Sequence, residues 1–464
     1  MTALGGIRRV HFVGIGGVGM CGLAELLAAQ GFAVSGSDLV AGASVRRLRE
    51  LGVPVRIGHD AEALEETDVV VVSSAIPADN PEVREATRRH VRVIPRAEML
   101  AWLMDEKDGI AVAGTHGKTT TTSLVAHLLD AAGLDPTAVV GGRVIGASPQ
   151  RSGTRVGAGS LLVAEADESD GSFLRLAPRI AVITNVEPEH LDYYGSEAAL
   201  RAAFADFASR VPADGRVVIC SEDPGARAIA SQIARPLTRY GFSAELGWEA
   251  TEIHAHPWGT LFEVRHLGTP LGPVRLPLHG RHNVANALAA LAVADELEVP
   301  FPDCARALAE FGGVERRFER KGQAGGIEVV DDYGHHPTEI RATLAAARSV
   351  HTGRIVVVFQ PHRFSRTRDF FEDFAASFQD ADLVVVTEIY AAGEAKIPGV
   401  EAKTLAEAVA AQGHGEVRFV AELGRVVETL TPALRPGDLV VTLGAGDVGR
   451  LGPALLGALG EAAP

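Results

Sequence analysis

The chain has 464 residues, room for roughly two to four domains of ordinary size. Hydrophobic residues make up 47% and charged residues 22%, a globular balance that excludes a disordered or collagen-like chain. A net charge of −15 argues against a protein that coats nucleic acid or anionic lipid, while leaving room for a local basic pocket.

In chain order, an apolar run at 9–15 ends in glycines. Residues 18–30 then carry helical spacing through Met20, Leu23, Ala24 and Leu27, with Gly31 as the stop. Strand-like stretches follow at 33–37, 53–57, 68–73 and 91–94, a rhythm that predicts βαβ units and a mostly parallel sheet. A second cycle opens at Gly109. Its strand at 110–113 runs into GTHGKTTTTSLVAHLLDAAG, where Leu124, Val125, Leu128 and Leu129 share one helix face. Buried strands are expected at 161–164, 180–184 and 216–219, and a small antiparallel patch over 238–277. A third cycle begins near Gly313, with strands at 327–330, 354–359, 383–387, 417–420 and 439–443. The reading is α/β, with three domains in series at 1–106, 107–313 and 314–464.

No apolar run approaches the roughly 18–20 residues of a membrane span. The start, MTALGGIRRVHFVGIGG, lacks the apolar core and cleavage site of a signal peptide. Cys21, Cys220 and Cys304 cannot build a disulfide framework, and no two sit at metal-knuckle spacing. A cytoplasmic protein is expected.

Two glycine-bearing loops carry the chemistry. Gly14-Ile15-Gly16-Gly17-Val18-Gly19 fits G-x-G-x-x-G between a strand and a helix, and Asp38 lies nineteen residues beyond it. Such glycines let the backbone approach a diphosphate at a helix N-terminus, and they do not distinguish NAD from a nucleotide-sugar. The second loop, Gly114-Thr115-His116-Gly117-Lys118-Thr119, also follows a strand and opens a helix. Its amides can cradle phosphate, Lys118 can neutralise it, and the Thr119 hydroxyl can ligate Mg²⁺. It departs from G-x-x-x-x-G-K-[ST] in having Val112 where the first glycine belongs. Glu165-Ala166-Asp167-Glu168-Ser169-Asp170 follows the next buried strand, with Glu165 the best Mg²⁺ ligand by position. His190, in TNVEPEH, reads equally well as a metal ligand or as a surface histidine.

Taken together, the blocks GTHGKTTTTSL, EADESDGSF, TNVEPEHLDYYG, HGRHNVANALAA, GVERRFE and DDYGHHPTEI resemble the Mur ligases, ATP-dependent amide ligases of peptidoglycan precursor synthesis. HFVGIGGVGM, DDYGHHPTE and FQPHRFSRT resemble the branch that adds L-alanine to UDP-N-acetylmuramate. The resemblance implies a Rossmann-like N-terminal domain for the UDP-sugar, a central ATP-binding domain and a Rossmann-like C-terminal domain. Gly14, Ile15, Gly16, Gly17, Gly19, Asp38, Ser73 and Ser74 would line the UDP-sugar site. Gly114, Thr115, His116, Gly117, Lys118, Thr119 and Thr120 would wrap the ATP phosphates. Thr119 and Glu165 would hold one Mg²⁺, and Glu165 with His190 a second; Mn²⁺ is a possible substitute. Asn283 and Asn286 would contact the adenine side, and Arg317 and Asp332 the phosphates and ribose. Tyr333, His335, Arg363 and Arg366 match positions near the amino acid or the reacting phosphate. Lys118, Glu165, His190 and Arg317 would be the catalytic set. Residues 196–210 contain no lysine, unlike many Mur ligases, which place a carbamylated lysine after this block. That departure agrees with the alanine-adding branch.

The resemblance implies ATP, UDP-N-acetylmuramate and L-alanine as partners, neither nucleic acid nor membrane, and a monomer or weak homodimer. Two alternatives stand beside it. One is a murein peptide ligase on the same sugar nucleotide. The other is an NAD-dependent oxidoreductase built on Gly14–Gly19 and Asp38, which leaves Lys118 and Glu165 unexplained.

Overall fold

The structure, a computed structural model, describes residues 4–64, 66–73, 75–145, 153–243, 247–413 and 415–461. The first sheet contains β1 (Arg9–Val13), β2 (Ala33–Asp38), β3 (Val55–Ile57), β4 (Val69–Val72) and β5 (Arg92–Pro95), in the order β3-β2-β1-β4-β5. All its pairs are parallel. A parallel sheet is covered on both faces, so its strands read as unbroken apolar runs. The VVVV of β4 shows this, with Val69, Val70 and Val71 fully buried. Helix Val18–Ala29 lays Leu23, Leu26 and Leu27 into the core beneath β1.

The central sheet holds β6 (Asp108–Ala113), β7 (Thr137–Val139), β8 (Thr154–Arg155), β9 (Leu161–Glu165), β10 (Ile180–Ile183), β11 (Arg216–Cys220), β12 (Leu237–Gly241), β13 (Trp248–His256), β14 (Gly259–His266) and β15 (Thr269–Leu276). Its order is β15-β14-β13-β12-β11-β10-β6-β9-β7-β8. β6 thus lies between β9 and β10, parallel to both. The chain leaves β9 and returns on the other side of β6, which opens a crevice at the carboxyl ends of all three strands.

The last sheet holds β16 (Glu319–Ala324), β17 (Ile327–Asp332), β18 (Ile355–Phe359), β19 (Leu383–Thr387), β20 (Glu416–Val420) and β21 (Leu439–Leu443), in the order β16-β17-β21-β18-β19-β20. It is parallel except for β16, which runs antiparallel to β17 at the edge.

By compactness the chain forms two units. One comprises residues 1–251, 262–274 and 285–312, and the other 252–261, 275–284 and 313–464. The first sheet and β6–β12 of the central sheet belong to the first unit, while β13, β14 and β15 are divided between the two.

One expectation needs amendment, and three strands carry no forecast. The patch expected at 238–277 is antiparallel only in its later part. β12 extends the parallel sheet beside β11, while two-residue turns join β13 to β14 and β14 to β15. LTRYG has too little apolar pattern to announce a strand, yet Tyr240 is fully buried. β7 and β8 are very short. β16, ERKGQA, is a polar edge strand that only its partner identifies.

Candidate functional site

β6 ends at Ala113, and the chain turns through Gly114–Gly117 into helix Lys118–Ala131. Val112 is fully buried within β6, which is why the loop is shorter than the common pattern. Gly114 has φ +140°, and a Cβ there would lie 2.0 Å from Thr184 Oγ1. Gly117 caps the helix in a left-handed conformation, without a side-chain cap, so the first-turn amides are open to an anion.

Lys118 folds back over this loop. Its Nζ donates to Gly114 O at 2.6 Å and to Glu168 Oε1 at 2.9 Å, with Oε2 at 2.8 Å. Burial pushes Glu168 up to about 7, with Asp167 adding to the push and Lys118 opposing it. Burial also disfavours charge on Lys118, but Glu168, Asp167 and Glu165 outweigh it and hold the ammonium above its ordinary range. Asp167 is raised by burial and lowered more by Lys118, Ser169 and Arg96, so it stays below the usual carboxylate range.

Glu165 closes β9, in register with Val112. Thr119 Oγ1 donates to its carboxylate from 3.1 Å, and the Gly141 amide donates to Oε2 at 2.8 Å. Three carboxylates thus gather around one lysine, a cluster short of positive charge and rich in oxygen donors. That donor chemistry suits Mg²⁺. His190 has a left-handed backbone, φ 56°, and its Nε2 lies 3.9 Å from Glu189.

The segment after β10 fixes the loop's shape. Asn185 Oδ1 accepts from the His116 amide at 2.8 Å, and its Nδ2 donates to His116 O at 3.0 Å. Thr184 Oγ1 donates to the same carbonyl at 2.5 Å. The Glu187 amide donates to Thr115 Oγ1 at 2.9 Å. Asn185 is the residue the sequence reading missed. Its signal was present, since TN directly follows a strand that neighbours the loop strand. Asn286 is also brought to this place. It accepts from Thr121 Oγ1 at 3.1 Å, and a Cβ on Gly117 would come within 2.7 Å of its Oδ1. Asn283 is buried and donates to His279 O at 2.8 Å. Thr120 is buried in the first turn of the helix.

The N-terminal loop is built differently. Gly14 has φ +78°, and the amides of Gly14 and Ile15 both donate to Ser37 O, at 2.9 and 3.0 Å. The Gly16 amide donates to Asp38 Oδ2 at 2.8 Å. A Cβ on Gly16 would lie 2.9 Å from that oxygen and from Val45 Cγ2. Asp38 therefore fixes the loop from within the protein. Gly17 caps the next helix without a side-chain cap, again leaving first-turn amides for a ligand. Ser73 lies near Gly14, its Oγ 3.7 Å from a Cβ placed there; Ser74 falls outside the described residues.

A third cluster forms in the C-terminal unit, where β17, β18 and β21 end. Asp332 is buried, and burial raises its carboxyl. It accepts from the amides of Gly334 and Phe318, both at 2.7 Å, which ties the 316–318 segment to β17. Arg317 lies over the Tyr333 ring, 5.2 Å from its centroid, and 3.5 Å from Glu339. His335 meets Glu339 at 3.2 Å and sits edge-on to His362, which stacks on Tyr390. Arg366 is buried beside His362 Nδ1, at 3.1 Å. Arg363 holds φ +70°, costly for a non-glycine residue, and its buried Nε has no hydrogen-bond partner among the described residues. Tyr333, His335, Arg363 and Arg366 are thus brought to one strand edge. His362, inside the FQPHRFSRT block but assigned no role there, and Tyr390, outside every block, join them.

Comparison with known proteins follows the same three-part layout. The family models for the Mur ligase family catalytic domain, the Mur ligase middle domain and the Mur ligase glutamate ligase domain match residues 9–108, 112–294 and 316–446. The chain is 52% identical over 453 residues to a UDP-N-acetylmuramate–L-alanine ligase of Anaeromyxobacter sp. (strain Fw109-5), covering 97% of this chain and 98% of that one. Among solved structures, the UDP-N-acetylmuramate–alanine ligase of Thermotoga maritima matches with a TM-score of 0.82 at 31% identity, over 97% of this chain and 98% of that one. A murein peptide ligase from Psychrobacter arcticus 273-4 matches with a TM-score of 0.71 at 26% identity, over 99% and 100%. The chain carries the three Mur ligase domains in series and belongs to the Mur ligase family.

Proposed function

We propose that this chain joins L-alanine to the carboxylate of UDP-N-acetylmuramate with ATP, giving UDP-N-acetylmuramoyl-L-alanine, ADP and phosphate in peptidoglycan precursor synthesis. The observation that carries this reading is a phosphate loop with Lys118 and its carboxylate cluster, in a chain that is like alanine ligases from end to end.

A carboxylate is a poor acyl donor. Transfer of the γ-phosphate to it makes an acyl phosphate. The alanine amine then attacks the acyl carbon, and phosphate leaves as the amide forms. The first step brings two anions together, so charge neutralisation dominates the barrier. Lys118 and the open amides of helix Lys118–Ala131 serve that need. Thr119 and Glu165 would hold one Mg²⁺, and Glu165 with His190 a second, with Mn²⁺ as a substitute. The metal, when bound, adds positive charge at the phosphates. Gly114–Thr120, Asn283, Asn286, Arg317 and Asp332 are assigned to ATP. Gly14, Ile15, Gly16, Gly17, Gly19, Asp38, Ser73 and Ser74 are assigned to the UDP-sugar. Tyr333, His335, Arg363 and Arg366 are assigned to alanine; a guanidinium with an unfilled donor suits a carboxylate. We place the domains at 1–106, 107–313 and 314–464, and the enzyme in the cytoplasm as a monomer or weak homodimer. No described helix is long and apolar enough to cross a membrane.

The likeness to a murein peptide ligase defines the competing nucleophile. Phosphate release from ATP with Mg²⁺ and UDP-N-acetylmuramate, comparing L-alanine, other amino acids and a cell-wall tripeptide, separates the two. Release that requires L-alanine, with product heavier by one alanyl residue, is expected. Release only with the tripeptide overturns the choice of nucleophile, and the absence of release with every amine overturns the ligase.

A further inference from the structure

Arg96 opens helix Arg96–Asp105, directly after β5. A cation is disfavoured there, because the first turn is the positive end of the helix dipole and a carboxylate is the favoured occupant. The side chain lies against the N-terminal glycine loop. A Cβ built on Gly19 would come within 3.0 Å of Arg96 Cδ and 3.2 Å of Nε and Nη1. Gly19 is itself in the first turn of helix Val18–Ala29, whose N-cap brings no side-chain cap. Two helix starts and a guanidinium therefore converge on one place, all of positive potential.

Among the described residues no ion pair neutralises this convergence. Arg96 makes no hydrogen bond or ion pair there. Glu98, the acidic residue in its own first turn, is held by Arg92 at 2.7 Å and Arg175 at 3.1 Å. Asp167 feels the Arg96 charge but forms no ion pair with it. The amides of Gly14, Ile15 and Gly16 are engaged by Ser37 and Asp38, so they cannot neutralise a ligand. A bound diphosphate needs a cation from elsewhere, and Arg96 is beside the open amides.

We propose that Arg96 is a binding residue for the UDP-sugar, its guanidinium pairing with the diphosphate over Gly19. This rests on the reading of the N-terminal domain as the UDP-sugar site. It also gives Gly19 its own reason to be glycine: a methyl there would displace the guanidinium.

Titration calorimetry with UDP-N-acetylmuramate and with UDP-N-acetylglucosamine tests this, because both carry the diphosphate and only the first carries the carboxylate. Arg96→Gln should weaken both by about 30-fold, the size of a lost charge-assisted pair. Arg96→Lys should restore part of the loss. Gly19→Ala, whose methyl would push the Arg96 guanidinium aside, should also weaken both ligands. The KM for ATP should stay within about twofold throughout, which a general loss of structure would not allow. Unchanged affinity for both sugars in Arg96→Gln and Arg96→Lys overturns the proposal. Loss confined to UDP-N-acetylmuramate also overturns it, and moves the guanidinium to the carboxylate. Failure of the unaltered protein to bind either sugar sinks the underlying site reading instead.

Discussion

The chain uses a strand, a glycine loop and a helix twice, and the two versions differ in what fixes the loop. In the N-terminal version, Ser37 O and Asp38 hold three successive loop amides, and among the described residues no lysine or acid cluster accompanies them. In the central version, Asn185 and Thr184 clamp His116 from a neighbouring strand, and Lys118, Glu165, Asp167 and Glu168 surround the helix start. Both loops give an anion a helix N-terminus. The second adds a lysine and metal-ligand oxygens at its helix start. A glycine loop beside a cation makes a binding site; chemistry on a phosphate needs the lysine and the acids as well.

The largest expected break of this contrast comes from Lys118→Ala. Ligation should fall by about 10³-fold or more, while the Kd for UDP-N-acetylmuramate stays within about threefold. A parallel loss of sugar affinity would show that the two loops are not separate sites. Gly16→Val attacks the other loop, since its side chain meets Asp38 Oδ2 and Val45. Sugar affinity should drop by about 10²-fold with ATP binding retained, and unchanged sugar affinity would remove this loop from the site.

Asn185→Ala should be milder. It removes two hydrogen bonds to His116, each worth about 1 kcal/mol, so KM for ATP should rise by about tenfold with sugar affinity unmoved. The smallest effect is on stability. Glu168 is raised from 4.5 to about 7 in the folded protein, so between those values the folded state keeps a proton the unfolded state has lost. Its contribution therefore falls as pH rises through that window. Glu168→Gln, which cannot ionise, should gain in Tm relative to the parent on moving from about pH 5 to about pH 8. An equal difference at both pH values would contradict the raised carboxyl.

Much of the site was legible because its residues sit in short blocks beside strand ends. Lys118, Thr119 and Glu165 are examples; in the structure Thr119 donates to Glu165, and Lys118 meets Glu168, a pairing the sequence reading did not name. Asn185 was not singled out: its place after a strand was visible, but that the strand neighbours the loop strand was not. Arg96 carried no signal either. An arginine at a helix start reads as solvated, and only its place over Gly19 gives it meaning. His362 and Tyr390 are 28 residues apart in sequence and stack only because β18 and β19 are adjacent.

Local sequence accounts for the alternation of strand and helix, the two loops and the acidic block. Those signals are local: apolar runs mark buried parallel strands, and glycines mark turns that other residues cannot make. It also showed the family through ordered motifs along the whole chain. The tertiary structure alone decided strand order, and so which loops share a carboxyl edge. It decided that Asp38 holds its own backbone, that β12 extends the parallel sheet and that β16 is a strand at all. These depend on contacts between residues far apart in the chain, and no local pattern carries them.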